Sequence, residues 1–393
     1  MPQCNVCQSI EVSRIIKIKS VPIFNNILLE SFEDAINIPR GDIDLSICHN
    51  CGHFFNSAFL PHLIDYNHLY ENSLEFSPRF KKYADDLIEN LVEDFDLREK
   101  KIVEIGCGQG GFLKSICQKG GNYGRGYDPS YRGETIFGNN KNIVFVQDEF
   151  SIKYADCEAD FIYSRHVLEH VPYPCDFVSE LRQTIGNQLS TRVFIEVPNS
   201  KFTLKELGIW DLIYEHCSYF SANSLNYLFD NAGFSVEKLV EVFDGQFLQI
   251  FTLPKDPQGK AERSLRHNNW DTVDKLQILA SSFKNNYDQK VKYWNSILES
   301  LRKERRRVVV WGAGSKGVSF LNIFKNHGVI EFAVDINPNK IDKYIAGTGQ
   351  RIVHPDFLKE YRPDNVIVLN QIYADEIRDR LRVMAVADNL LFA

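Results

Sequence analysis

Two cysteine pairs, Cys4-x-x-Cys7 and Cys48-x-x-Cys51, carry the most specific chemistry in the chain. Each C-x-x-C turn presents two sulfurs to one point, and two such turns close a tetrahedral shell around a single ion. Zinc suits that donor set. Four protein ligands leave no open coordination position, so the expected ion is structural and holds together a module too small to rely on its own core. Haem attachment would need His after the second cysteine, where Gln8 and Gly52 stand. The strand-helix context of a redox C-x-x-C pair is missing. His49 and His53 are candidates to replace one sulfur.

Glycine-rich loops carry a second kind of chemistry. Lys101 to Ile105 reads as a strand that opens on Gly106-Cys107-Gly108-Gln109-Gly110-Gly111 and then a helix. Glycines in such a turn let the backbone approach a ligand closely. Glu104 lies just before the loop, Asp128 ends the next strand where a carboxylate can accept from ribose hydroxyls, and Asp148 ends the third. On these residues alone the loop suits any nucleotide or dinucleotide, NAD included. A second loop, Gly312-Ala313-Gly314-Ser315-Lys316-Gly317, follows Val308 to Trp311, with Asp335 ending the next strand. That spacing also fits a dinucleotide, while the amides from Gly314 to Gly317 and the Lys316 ammonium suit a phosphate.

Between the two loops, Tyr214-Glu215-His216-Cys217-Ser218-Tyr219-Phe220-Ser221 gathers titratable side chains. Histidine takes a proton near neutral pH, and an adjacent carboxylate or phenol can orient it. Glu215 beside His216 is expected to raise the imidazole above its usual value of about 6.5.

The elements that must position these groups follow from periodicity. Residues 1–75 are short of helical pattern and form the metal module. Arg79 to Phe95 reads as a capped helix, and the strands Lys101–Ile105, Tyr123–Tyr127, Ile143–Val146, Phe161–Ser164 and Arg192–Val197 then alternate with helical runs. That alternation predicts a parallel sheet with helices on both faces. Phe234–Phe243 and Phe247–Leu253 make a closing hairpin around Asp244-Gly245-Gln246, which brings a core of 76–255 to its end. A linker from Pro254 to Gly259 and a long amphipathic helix from Asp271 to Arg307 fill 256–304, and 305–393 is a second short α/β unit. The fold class is α/β.

Composition narrows the function. The 393 residues carry 45 Lys and Arg against 52 Asp and Glu, a net charge of −7, the wrong sign for holding a polyanion. A 44% apolar and 25% charged content is that of a globular chain rather than a disordered one. No apolar run reaches membrane-span length, and the start lacks a signal-peptide pattern, so a reducing, cytoplasmic setting is expected. The odd count of nine cysteines points the same way.

V-E-I-G-C-G-Q-G-G-F, G-Y-D-P and D-F-I-Y-S-R-H-V-L-E-H-V together resemble class I S-adenosylmethionine-dependent methyltransferases. The resemblance implies a Rossmann-like core in which Gly106, Gly108 and Gly110 pass under the methionine part, Asp128 holds the ribose and Asp148 meets the adenine. The order of metal module, core and terminal α/β unit is similar to that of sugar C-methyltransferases acting on nucleotide-linked keto sugars in deoxysugar biosynthesis. In that family an E-H-x-x-Y-F-S segment carries the general base, which implies His216, with Glu215, Tyr219 and Tyr214 beside it. The terminal Rossmann-like lobe, through Gly314, Lys316, Gly317 and Asp335, would hold the nucleotide part of the substrate. This chain reads Ile213-Tyr214-Glu215-His216 where the family has Y-H-E-H, and Asp244-Gly245-Gln246-Phe247-Leu248-Gln249 where it has H-G-G-S-x-R. An O- or N-methyltransferase of a non-sugar acceptor and an NAD-dependent sugar-modifying oxidoreductase are the alternatives.

Overall fold

The computed structural model describes residues 2–64, 71, 73–137, 142–155, 158–256, 271–386 and 388–393. Its N-terminal strands, β1 (Val12–Pro22), β2 (Arg40–Cys48) and β3 (Phe54–Asn56), form an antiparallel meander. They bury alternate apolar side chains such as Ile43, Leu45, Ile47 and Phe54.

The core follows a helix over Pro78–Asp94, capped by Ser77, whose side chain accepts from the Phe80 amide, with Pro78 in its first turn. Eight strands make the sheet: β4 (Lys101–Ile105), β5 (Tyr123–Tyr127), β6 (Ile136–Phe137), β7 (Ile143–Val146), β8 (Phe161–Arg165), β9 (Arg192–Pro198), β11 (Phe234–Val242) and β12 (Phe247–Pro254). Their order is β11-β12-β9-β8-β4-β5-β7-β6. The inner five strands run parallel, while the β11–β12 hairpin and β6 pair antiparallel at the two edges. The order reverses between β4 and β8, so the crevice for a ligand opens at the carboxyl ends of those two strands.

One short strand breaks the division into separate units. β10 (Ser218–Tyr219) lies in the core by sequence but pairs with β3 and completes the sheet β1-β2-β3-β10. The metal module is therefore finished by the segment that carries His216.

The linker expected from Pro254 to Gly259 passes out of the described residues after Asp256. The long helix runs Val273–Lys303, and its Trp294 ring packs 5.2 Å from Phe320 of the terminal lobe, which in turn lies 4.9 Å from Trp210 of the core. These contacts make one continuous apolar cluster out of the module, the long helix and the lobe. The lobe itself is an all-parallel sheet of β13 (Val308–Trp311), β14 (Ile330–Val334), β15 (Arg351–Val353), β16 (Asn365–Val368) and β17 (Leu390–Phe392), in the order β15-β14-β13-β16-β17. Its own reversal, between β13 and β16, lies at the second glycine loop. Among the described residues no helix is long and apolar enough to cross a membrane.

Candidate functional site

At the carboxyl end of β4 the chain turns through Gly106, Gly108 and Gly110, all with positive φ (74°, 53° and 77°), before the helix Gly111–Gly120. A Cβ on Gly110 would lie 2.3 Å from the Phe145 ring, so the loop is pressed against β7 and leaves a cradle above it. Glu104 lies beneath, 4% exposed, with Oε2 lacking any hydrogen-bond partner. Burial pushes its carboxyl up to about 8, a rise that the nearby Arg165 charge opposes. A buried carboxylate oxygen without a donor beside an open glycine turn suits an ammonium group, which the methionine part of S-adenosylmethionine carries.

Asp128 is more occupied than its ribose role suggests. Its Oδ2 accepts from the Gly108 amide at 2.7 Å, and Oδ1 accepts from the amide and hydroxyl of Ser130 at 2.8 and 2.6 Å. The carboxylate holds the glycine turn in shape and leaves one acceptor position on Oδ2. Asp335 repeats this in the terminal lobe, accepting from the Ala313 and Asn337 amides, each at 2.8 Å. Asp148 accepts from Tyr154 Oη at 2.6 Å and from Lys153, which holds its carboxyl below the ordinary range. Tyr154 in turn packs its ring 4.4 Å from that of Tyr127, tilted by 49°. This aromatic wall, with Phe150 5.3 Å from Tyr127, escaped the sequence reading, because its members lie on separate segments.

His216 lies at the end of the segment that β10 anchors. Its ring stands 4.8 Å from His170 and 5.8 Å from Tyr219. Burial, with the positive fields of His170, His166 and Lys316, holds its imidazole well below 6.5. That direction is opposite to the one expected from Glu215. The Glu215 carboxyl is fully buried and accepts from the Asn25 amide at 3.0 Å, while its other oxygen has no partner. Desolvation raises it to about 8. A carboxyl that is neutral at pH 7 gives no charge with which to raise an imidazole.

The two tyrosines beside His216 are committed elsewhere. Tyr214 Oη accepts from the Leu60 amide at 3.0 Å, and its ring lies so close to Gly41 that a Cβ there would come within 2.3 Å of Cε2. Tyr219 Oη donates to the Ile213 carbonyl at 3.0 Å and accepts from the Ile213 amide at 3.1 Å. Tyr219 thus clamps the backbone at Ile213 and Tyr214 ties its segment to Leu60, so both hydroxyls are already engaged with backbone groups.

Acidic and imidazole groups of the D-F-I-Y-S-R-H-V-L-E-H-V segment, where His170 is open to either a structural or a site-lining reading, stand closer. Glu169 and His170 occupy the turn Leu168–His170, and the ligand-type atoms of Glu169, His170 and His216 lie within 4.8 Å of one another. His170 Nδ1 donates to the Glu215 carbonyl at 3.1 Å. His166, at φ 56°, places Nε2 3.2 Å from Glu196, which also pairs with Arg165 at 2.9 Å and accepts from Tyr83 and Gln249. The spacing His166-x-x-Glu169-His170 was the signal available in the sequence.

The four cysteines come together. All their sulfurs fall within 4.8 Å of one another, with Cys4 and Cys51 at 3.7 Å and Cys7 and Cys48 at 3.4 Å. The bond with the Cys48 sulfur, together with burial, pushes the Cys4 thiol up to about 12, and a bound cation would favour the thiolate form of all four. The set fits a tetrahedral thiolate-bound ion. His53 is not part of it: its ring lies 3.3 Å from the hydroxyls of both Ser218 and Ser224 and ties the module to the core.

In the terminal lobe, Lys316 is paired with Asp211 of the core rather than free for a phosphate. The buried Lys340, with Nζ 3.5 Å from the Ala313 carbonyl, is the cation that faces the loop. Asn26 reaches across from the module and donates to Ser315 Oγ at 2.8 Å, while its own Oδ1 is buried without a partner. Gly314 starts the helix Ser315–Ile323, and Gly317 packs against the Gly312 carbonyl.

The chain is similar to several known proteins. C-methyltransferase NovU of Streptomyces niveus is 23% identical over 403 residues, covering 96% of this chain and 91% of that protein. Among solved structures, a SAM dependent methyltransferase from Aquifex aeolicus is 16% identical, with a TM-score of 0.33 over 45% of this chain and 98% of its own. Magnesium protoporphyrin IX methyltransferase from Synechocystis PCC 6803, solved with bound SAH, is 17% identical, with a TM-score of 0.34 over 45% and 84%. The family model for methyltransferase domains matches residues 77–239, and that for the C-methyltransferase C-terminal domain matches 252–391. These two adjoining matches show a methyltransferase domain followed by a C-methyltransferase C-terminal domain, and the glycine turn at the sheet's reversal agrees with an S-adenosylmethionine-dependent methyltransferase.

Proposed function

We propose that the protein methylates a carbon next to the carbonyl of a nucleotide-linked keto sugar, with His216 as general base. The observation that carries this reading is a largely buried imidazole on a strand-anchored segment, its ring 4.8 Å from His170 and 5.8 Å from Tyr219. A base must be unprotonated to work, and burial with the neighbouring positive fields favours the neutral form of this imidazole. The similarity to NovU, a C-methyltransferase, supports carbon as the acceptor.

S-adenosylmethionine supplies an electrophilic methyl group. Glu104 and the amides of Gly106 to Gly110 hold its amino-acid end, Asp128 offers its remaining acceptor position to the ribose, and Asp148 with Tyr154 borders the adenine. His216 removes the proton α to the carbonyl, and the resulting enolate carbon takes the methyl in line. Alignment of the two reactants is the main catalytic device of such a site. Lys340, Asn26 and the amides from Gly314 to Gly317 would grip the phosphates, with Lys316 contributing through its field. Zinc on Cys4, Cys7, Cys48 and Cys51 would stiffen the module and, through β3 and β10, fix His216. The acceptor is a small molecule; an acidic chain offers no track for a nucleic acid.

Incubation of the purified protein with methyl-labelled donor and a panel of nucleotide-linked 4-keto sugars tests this. The expected product carries the label on carbon, stable to treatments that cleave esters and labile ethers. Label on oxygen or nitrogen, or no transfer to any member of the panel, overturns it.

A further inference from the structure

We propose that Glu169, His170 and His216 form a second metal site, one that takes a divalent transition-metal ion of the zinc class and silences the enzyme when filled. Two imidazoles and one carboxylate are the donor set of an open, catalytic-type zinc or cobalt site. Their ligand-type atoms already lie within 4.8 Å of one another. Tetrahedral bonds of about 2.0–2.1 Å need donors about 3.4 Å apart, so closure asks for side-chain movements of about 1.5 Å at most.

Two further features point to a ligand. Glu169 is 1% exposed, and its Oε2 has no hydrogen-bond partner; its nearest imidazole, His166 Nδ1, is 3.8 Å from Oε1. An unpaired buried carboxylate oxygen is costly, and an ion would satisfy it. His170 donates Nδ1–H to the Glu215 carbonyl at 3.1 Å. Since a carbonyl can only accept, this bond fixes the tautomer and gives Nε2 the lone pair, which is the outer-shell arrangement that metal-binding histidines use. His166, Glu169 and His170 have H-x-x-E-H spacing, which on a helix would turn both histidines to one face. Here the segment is a turn, with His166 at φ 56° leaning on Glu196, so His216 from the β10 segment takes the third place instead. One oxygen and two nitrogens suit zinc, cobalt or nickel and are a poor set for magnesium or calcium.

An ion here occupies the lone pair with which His216 would take a proton. Binding and silencing are separable, since only the silencing rests on His216 being the base. Protein loaded with one zinc per chain is titrated with Co²⁺ and followed by its visible d–d absorption. One further equivalent is expected, with His216→Ala and Glu169→Gln each weakening it by at least about 10-fold. Retained zinc content and S-adenosylmethionine affinity show that the variants fold. Absence of a second equivalent, or binding indifferent to both substitutions, overturns the site. In parallel, added Zn²⁺ should abolish methyl transfer by the native protein, and a chelator too weak to strip the four-cysteine site should restore it. Full turnover with the second site filled would leave the site standing and contradict His216 as the base.

Discussion

Glu104 holds the least satisfied charge in the cofactor cradle, and its consequence is measurable. With a carboxyl near 8 in the free protein, it is largely protonated at pH 7; an ammonium placed against Oε2 favours the ionised form and lowers that value. S-adenosylmethionine binding at pH 7 should therefore release on the order of one proton, read by calorimetry in buffers of different ionisation enthalpy. Above pH 9, where the carboxyl is ionised already, the release should vanish, and Glu104→Gln should remove it at pH 7. The tyrosines make a contrasting case. Tyr214→Phe and Tyr219→Phe each delete a buried hydroxyl that caps backbone groups, so each should cost about 1–3 kcal/mol of stability, measured by denaturant unfolding. Neither should lower kcat as a lost base would. Sequence spacing put both next to His216, yet the direction of a side chain is set by what it packs against, and for Tyr214 that is Gly41, far away in the chain.

At the scale of elements, local patterns were readable and long-range pairings were not. The helix after Ser77, the glycine turn after Ile105 and the hairpin of β11 and β12 follow from caps, glycines and alternation within a few residues of each other. β10 has only two residues and no pattern of its own; it exists because β3 offers an edge to pair with. That pairing, with His53 bridging Ser218 and Ser224, anchors the segment that carries His216, the proposed base. Gly41→Ala should expose the dependence: a Cβ at 2.3 Å from the Tyr214 ring forces 213–216 to shift. The expected result is a fall in kcat of about 10-fold or more with S-adenosylmethionine affinity preserved, since small misplacements at a reacting centre are costly. Equal losses in both would mean general unfolding instead.

The whole molecule couples the four-cysteine module, the methyltransferase core and the terminal α/β lobe through shared surfaces. The pairs of C-x-x-C, the two glycine loops and their following acids were legible as three separate units. Their interlocking was not: Asn26 against Ser315, Lys316 against Asp211 and Trp210 against Phe320 join residues hundreds of positions apart or in different units. The glycine loops themselves proved to be matched pairs, since Asp128 and Asp335 each brace the turn before them. Because β10 belongs to the module's sheet, stripping the ion from the four cysteines should do more than loosen the first 75 residues. Chelation should abolish turnover before S-adenosylmethionine binding is lost, and hydrogen exchange should rise at Ser218 and Tyr219 together with β3. Exchange confined to the module would separate the metal from the base.

His216→Ala is the most direct test of the account. Proton removal is a transition-state function, and on the proposed assignment the donor is held by the glycine loop and not by His216, so kcat should fall by about 10²–10⁴ while S-adenosylmethionine affinity stays within a few-fold of native. Full turnover in this variant, or a loss of donor binding equal to the loss of rate, would contradict the assignment of His216 as the base.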